Sequence, residues 1–439
     1  MTLSSQAGWT AGPAAPAMRE PDRLVVLDSI RGLAAFIVVI HHCLLTQPAF
    51  CEFFFSSWRV KASTGPQWLL FDTPFRLLWG GSEAVTLFYI LSGLVLALPW
   101  VEGRAPRYAA YCIRRICRLY LPYCAAVAIA AGLAVWLQSR AVVPELSRWV
   151  NEMNWTHQVT PAVLLDHAVM LGHRNTLNGV IHTLIWEMRA SLLFPLLIVP
   201  IVRWRLRGAV AVTLALWAAV CGLQLAYGAG GSPLDFIAWQ PGMSKLGQLA
   251  IEVQGTAYYC TFFVYGSMLA LNIPAIRRLS SGAAMALLAA GLLTLQGHWS
   301  YTLAVQDFMT AAGAVMIICS ALPNGMVHRA LSLRWLQWLG RMSFSLYLVH
   351  SPLLLASVIL FGRDLPVAAI LIAVPFASLV VASLFNAAVV EPSAQLGRTL
   401  AKARFRFPRL IARRSAGSAD DTSRLHAGNG IVRTQESGY

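Results

Sequence analysis

The stretch LVVLDSIRGLAAFIVVIHHCLL, residues 24–45, decides the fold of this chain. It is almost entirely apolar, and it is long enough to cross the hydrocarbon core of a bilayer, which takes about 20 residues of helix. A polar leader precedes it, no small-residue cleavage site follows it, and the apolar run is too long for a signal-peptide core. The segment is therefore predicted to remain as a first transmembrane helix.

The composition extends this prediction to the rest of the chain. Of the 439 residues 57% are apolar and 12% are charged, and the mean hydropathy is +0.60. A soluble domain carries about 25% charged residues, so charge is kept out of long stretches here. We predict an all-α integral membrane protein, a bundle of about ten transmembrane helices. The predicted spans lie near residues 24–45, 83–101, 111–137, 183–202, 208–228, 256–272, 282–297, 302–321, 343–361 and 367–390.

These runs divide the chain into three parts. We predict a cytoplasmic leader over residues 1–22, a transmembrane domain over 23–392, and a basic and then disordered cytoplasmic tail over 393–439. The net charge is +15, and the basic residues concentrate in the short even-numbered connections and in the tail. This positive-inside pattern predicts that both termini are cytoplasmic (N-in, C-in), and it indicates membrane lipids rather than nucleic acid around the positive charge. The long, Trp-bearing segment 138–182 is expected to fold over the outer mouth of the bundle.

The first span carries four ionisable residues, Asp28, Arg31, His41 and His42. At about 100° and 1.5 Å per residue, Arg31 and His42 share one face and lie about 16 Å apart along the axis. His41 points about 100° away from that face, and Asp28 is three residues before Arg31, where it can hold the guanidinium. Ionisable groups inside a membrane indicate function. The alternatives are an anchoring ion pair for Asp28 and Arg31 and a polar helix contact for His42.

Five further residues are candidates for a site, and all of them except Glu83 also have a structural explanation. Glu83 at the start of the second span can bind a hydroxyl or orient an imidazole. Arg115 and Arg118 form an RxxR pair suited to phosphate, although basic residues there also serve as cytoplasmic anchors. Glu187 can line a substrate site or sit at headgroup level. For His350 a structural hydrogen bond is the favoured explanation.

The first span resembles the N-terminal signature of the membrane acyltransferase 3 family, in which ten residues separate an Arg from a His. Here these are Arg31 and His42. The sequence RRICRLYLPY, residues 114–123, resembles a second motif of that family and contains Arg115 and Arg118. The resemblance continues through residues 80–99, 182–195 and 340–355 in the family's order.

This resemblance implies an acetyl-CoA-dependent O-acyltransferase of a bacterial cytoplasmic (inner) membrane. The acceptor would be a hydroxyl of a carbohydrate or glycolipid, acetyl-CoA would be a co-substrate, and no cofactor would be permanently bound. His42, together with Arg31, would be catalytic: its imidazole either takes the hydroxyl proton or accepts the acetyl group itself. The acyl group could also be longer, such as succinyl.

In the same reading Arg115 and Arg118 would bind acyl-CoA, and Asp28, Glu83, Glu187 and His350 would bind the acceptor or support the site. No metal motif is present, and the eight cysteines form no CxxC pair. The competing function is a transporter of a sugar, lipid or acyl intermediate, because intramembrane His, Arg and Glu also mark transport pathways.

Overall fold

The computed structural model describes residues 20–55, 73–138, 146–153, 155, 158–171, 177–228, 243–296 and 303–403. These residues form α-helices joined by short connections, with no strand among them. The α-helices are, in chain order, α1 (Glu20–Leu45), α2 (Pro48–Phe55), α3 (Gly81–Val101), α4 (Tyr108–Leu137), α5 (Arg148–Met153), α6 (Pro161–Ala168), α7 (His182–Trp204), α8 (Leu206–Tyr227), α9 (Lys245–Ile276), α10 (Ser281–Gln296), α11 (Leu303–Ala321), α12 (Met326–Leu331), α13 (Arg334–Phe361), α14 (Val367–Phe385) and α15 (Glu391–Ala403).

Eight of the described helices are long and apolar enough to cross a membrane, so the prediction of an all-helical, multi-pass membrane protein is confirmed. They are α1, α3, α4, α7, α8, α9, α13 and α14, the last of which runs through a π-helical turn into α15. The predicted spans 282–297 and 302–321 correspond to α10 and α11, which are apolar but shorter. The 16 residues of α10 extend about 24 Å, against a hydrocarbon core of about 30 Å.

One predicted boundary is wrong by several turns. The span near residues 256–272 belongs to α9, which already begins at Lys245. Its first turns contain Gln248, Glu252 and Gln254, which lower the hydropathy without interrupting the helix. A hydropathy profile therefore reports where a helix is apolar, and not where the backbone hydrogen bonds begin.

Glycines bring two pairs of long helices into close contact. A β-carbon on Gly32 of α1 would lie 2.5 Å from the backbone nitrogen of Gly340 in α13, and one on Gly93 of α3 would lie 2.4 Å from the carbonyl oxygen of Phe263 in α9. Small residues at helix crossings let the backbones approach closely inside a membrane. Helix α13, with His350, is thereby held directly against α1, which carries Asp28, Arg31 and His42.

The described part of segment 138–182 packs on the end of α1 that carries His42. The Ser147 hydroxyl donates to the carbonyl of Leu45, and the Ser147 N–H donates to the carbonyl of Thr46 at 2.9 Å. The ring of Trp149 in α5 lies 5.4 Å from the ring of His42. The predicted leader up to residue 19 and the tail from residue 404, including its predicted disorder, lie outside the described residues.

Candidate functional site

The imidazoles of His42 and His350 meet between α1 and α13. His350 Nε2 lies 3.2 Å from His42 Nδ1, and the ring centroids are 5.1 Å apart. The Nδ1 atom of each ring also lies within hydrogen-bond distance of a carbonyl one turn earlier, at 2.9 Å from Val38 for His42 and 3.0 Å from Leu346 for His350. His350 is fully buried and His42 is partly buried. Residues 308 positions apart therefore form one polar pair.

His41 lies on the other side of α1, as its helical position predicts. Its Nδ1 is 2.7 Å from the Trp79 carbonyl, its ring stacks on the Trp79 indole, and it is buried. Gly81 leaves room for it, since a β-carbon there would lie 2.5 Å from the His41 ring. This contact anchors α1 to the 3-10 helix Pro74–Trp79 that precedes α3.

Glu83 belongs to this second group and does not contact the histidine pair. Its carboxylate accepts a hydrogen bond from Arg76 Nη2 at 2.6 Å, and both side chains are buried. Arg76 also donates to the carbonyl of Leu295 at 3.1 Å, which ties α10 to the same point. The geometry gives Glu83 a structural ion pair on the His41 side of α1.

Glu187 of α7 and Arg115 of α4 face each other further along the bundle. Arg115 Nη2 donates to Ser191 Oγ at 2.6 Å and lies 3.4 Å from Glu187 Oε1. The hydroxyl of Ser92 in α3 donates to the same carboxylate oxygen at 2.9 Å. The Nε–H groups of Arg31 and Arg115 are buried and have no partner in the described part of the chain. Two guanidinium donors at this position are thus free for a ligand.

A basic cavity of about 310 Å³ opens beside these groups. The charged residues that line it are five arginines and one carboxylate: Arg31, Arg104, Arg114, Arg115, Arg118 and Glu187. Such an excess of guanidinium groups suits a ligand with several anionic oxygens, because the planar fork of Arg matches phosphate.

A narrower cavity leads from this basic cavity towards the histidine pair. Arg31, Glu187 and Phe344 line both cavities, and Tyr347 lines only the narrow one. The Tyr347 ring packs edge-on against His350 with centroids 5.8 Å apart, and its hydroxyl is held by Thr183 at 2.5 Å. A row of polar groups therefore connects the five arginines with His42 through the interior of the bundle.

The structure thus divides the predicted site residues into three groups. Arg31, Arg115, Arg118 and Glu187 share the basic cavity, His42 and His350 form the pair at the other end of the row, and Glu83 stands apart. Asp28 lies within electrostatic range of Arg31, Arg118 and Arg341. The ion pairs found among the described residues do not include one between Asp28 and Arg31, although the two are three positions apart on one helix.

Sequence reasoning missed three contributors to the site. Ser92 is not among the predicted site residues, but its hydroxyl donates a hydrogen bond to Glu187. Ser191 holds Arg115, and its spacing of four residues from Glu187 was a usable signal for a shared helix face. Trp149 contacts His42 from the short helix α5, and no periodic pattern in the sequence could have identified it.

Within the described residues, no group of three or more His, Cys, Asp or Glu side chains is arranged to hold a metal ion. The eight cysteines form no disulfide, and the hydrogen bonds of the histidine pair do not involve a cysteine.

Comparison with known proteins gives one match. A family model described as an acyltransferase domain, Acyl_transf_3, matches residues 24–387, from the start of the apolar part of α1 to the π-helical turn that follows α14. No curated protein and no solved structure gives a match. The matched range contains both cavities and the histidine pair.

Proposed function

The chain belongs to this acyltransferase domain family, and from that premise we propose that it transfers an acyl group from acyl-CoA to a hydroxyl group of a carbohydrate or glycolipid. The acyl group is acetyl in the simplest case. The observation that carries the proposal is the row of polar groups from the arginine-lined cavity to His42. It offers an anion site at one end and an imidazole at the other.

The donor end of the row is the basic cavity. The phosphate groups of CoA bind Arg115 and Arg118, and Arg114 and Arg104 line the same cavity. Arg31 and Arg115 each contribute a buried N–H that has no partner among the residues that the structure describes. Because the CoA pool is cytoplasmic, this end of α4 faces the cytoplasm. Both termini of the chain lie on the same side. Helices α10 and α11 then cross the membrane as the seventh and eighth of ten spans. The membrane is then a bacterial inner membrane.

The acceptor end of the row is His42. Its imidazole takes the proton of the acceptor hydroxyl, the oxygen attacks the thioester carbonyl, a C–O bond forms and the C–S bond breaks. The same proton passes from the imidazole to the leaving thiolate of CoA, so charge and atoms balance. Arg31 lines both the basic and the narrow cavity, and there its guanidinium holds the arm of CoA that carries the thioester. Asp28 and Glu187 keep the arginines of the row in position through their charge.

The test is acyl transfer by the purified full-length chain in lipid nanodiscs. Acetyl-CoA labelled in its acetyl group is supplied together with a glycan and glycolipid extract of the source membranes. We expect label in alkali-labile ester linkage to carbohydrate, together with release of CoA in equal amount. Passage of sugar or lipid across reconstituted vesicles with no release of CoA would favour the transporter and overturn the proposal.

A further inference from the structure

The paired histidines His42 and His350 have only one proton arrangement that satisfies all their contacts. Each Nδ1 lies within hydrogen-bond distance of a backbone carbonyl oxygen. The carbonyl is that of Val38 for His42 and that of Leu346 for His350. A carbonyl oxygen only accepts hydrogen bonds, so in both neutral rings the proton is on Nδ1. The Nε2 atom of each ring is then an unprotonated acceptor.

This arrangement orients the pair. The Nδ1–H of His42 lies between the Val38 carbonyl, at 2.9 Å, and the lone pair of His350 Nε2, at 3.2 Å. It is shared by these two acceptors. Both contacts of the His42 ring are made by Nδ1, so the opposite atom, His42 Nε2, keeps its lone pair for a proton among the described residues.

We propose that His350 is a positioning residue that holds His42 in the Nδ1–H form, so that His42 Nε2 is the atom that takes the acceptor proton. This inference rests on the proposed function. It assigns to a neutral imidazole the task that an aspartate performs in a serine–histidine–aspartate triad, in which the third group orients the base and stabilises its protonated form.

The surroundings of the pair support this task. When His42 Nε2 gains a proton, its Nδ1–H bond to His350 becomes charge-assisted and stronger. No carboxylate forms an ion pair with either ring among the described residues, and Glu83, which lies on the His41 side of α1, is paired with Arg76. Trp149 packs on His42 and Tyr347 packs on His350, so both rings are kept from rotating.

The experiment compares two amides at position 350. In His350→Gln the side-chain oxygen reaches the place of Nε2 and can accept from His42. In His350→Asn the amide reaches only the place of Nδ1, so it keeps the contact with the Leu346 carbonyl and leaves His42 without its acceptor. His328→Gln is the matched control, because His328 is also buried and also bonds a carbonyl through Nδ1. The full-length variants are assayed in nanodiscs with labelled acetyl-CoA, and their melting temperatures are measured alongside.

We expect His350→Asn to lower kcat by about 10- to 100-fold, the usual effect of losing the outer partner that orients a functional histidine. The KM for acetyl-CoA and the melting temperature should stay near wild type. His350→Gln should keep most of the wild-type kcat, and His328→Gln all of it.

Equal activity of the Asn and Gln variants would overturn the positioning role. A fall in melting temperature that accompanies the loss of activity would overturn it too, because it would assign His350 to the fold. Either result leaves the proposed function intact. That function fails separately if the wild-type protein transfers no acetyl group.

Discussion

Gly32 and Gly340 lie so close that a β-carbon on Gly32 would stand 2.5 Å from the backbone nitrogen of Gly340. His42 follows the first glycine by ten residues, and His350 follows the second by ten residues. Since the two imidazoles also meet, α1 and α13 run side by side in the same direction from the glycine crossing to the histidine pair. The close approach at one end therefore sets the distance between the functional side chains at the other.

Gly32→Val tests this relationship. The added side chain has to displace the backbone of α13, and overpacking of this kind costs about 1 to 3 kcal/mol of stability. We expect a lower melting temperature and an acetyl-transfer rate reduced by more than the loss of folded protein explains. Gly132→Val is the control, because a β-carbon at Gly132 of α4 meets nothing within 4 Å. If Gly32→Val and Gly132→Val have the same melting temperature and the same rate, the glycine crossing does not control the geometry of the histidine pair.

The adjacent histidines of α1 should respond differently to alanine. His42→Ala removes the proposed base and should lower the rate of transfer by about 10² to 10⁴, with normal accumulation in membranes. His41→Ala removes the side chain that bonds the Trp79 carbonyl, and loss of a buried hydrogen bond costs about 1 to 3 kcal/mol. We expect a less stable protein that still transfers acetyl groups. An active His42→Ala beside an inactive His41→Ala would reverse the assignment of the two faces.

The basic cavity predicts where acyl-CoA affinity resides. Changing Arg115 and Arg118 together to Gln removes two guanidinium groups from the cavity, and hydrogen bonds to charged groups contribute about 1.5 to 3 kcal/mol each. We expect the Kd for acetyl-CoA, measured by calorimetry in nanodiscs, to rise at least about 10-fold. Arg207→Gln is the comparison, since this arginine is exposed near the start of α8. If the double variant binds acetyl-CoA with unchanged affinity, Arg115 and Arg118 serve as membrane anchors and do not bind CoA.

Glu83 should matter for stability and not for the binding of substrates. Glu83→Leu leaves the buried guanidinium of Arg76 without its carboxylate, and breaking a buried ion pair in this way costs about 3 to 5 kcal/mol. The double variant Arg76→Met with Glu83→Leu removes both charges and should recover much of the lost melting temperature. If Glu83→Leu instead melts like wild type and raises the KM for the acceptor, Glu83 binds substrate.

Labelling at position 300, between α10 and α11, decides between eight and ten spans. If both helices cross the bilayer, Ser300→Cys reacts with an impermeant maleimide from outside the cell, in a background without other exposed cysteines. Reporter fusions after Thr160 and Ser232 should likewise read extracytoplasmic, and one after Ala416 cytoplasmic. Labelling of position 300 only from the cytoplasmic side would reduce the bundle to eight spans. A cytoplasmic signal at Thr160 would reverse the orientation.

The sequence by itself determined those features that depend on neighbours along the chain. Hydropathy located the helices, because an apolar run needs only its own length and composition to favour the bilayer. The helical period correctly separated His41 from His42, since a rotation of about 100° per residue holds whatever surrounds the helix. For Asp28 and Arg31 the same local reasoning predicted a shared charge environment, and Asp28 does lie within electrostatic range of Arg31, although also of Arg118 and Arg341.

Only the tertiary structure decided which distant groups meet. The sequence of α13 alone does not predict that His350 contacts His42. The sequence of α3 alone likewise does not predict that Glu83 pairs with Arg76 and not with an imidazole. The pairing of Arg115 with Ser191 and Glu187 likewise depends on how α4 packs against α7. The physical reason is that helix packing in a bilayer is set by the close fit of small residues on two surfaces at once. That fit is a property of pairs of helices, which a pattern read along one chain segment does not contain.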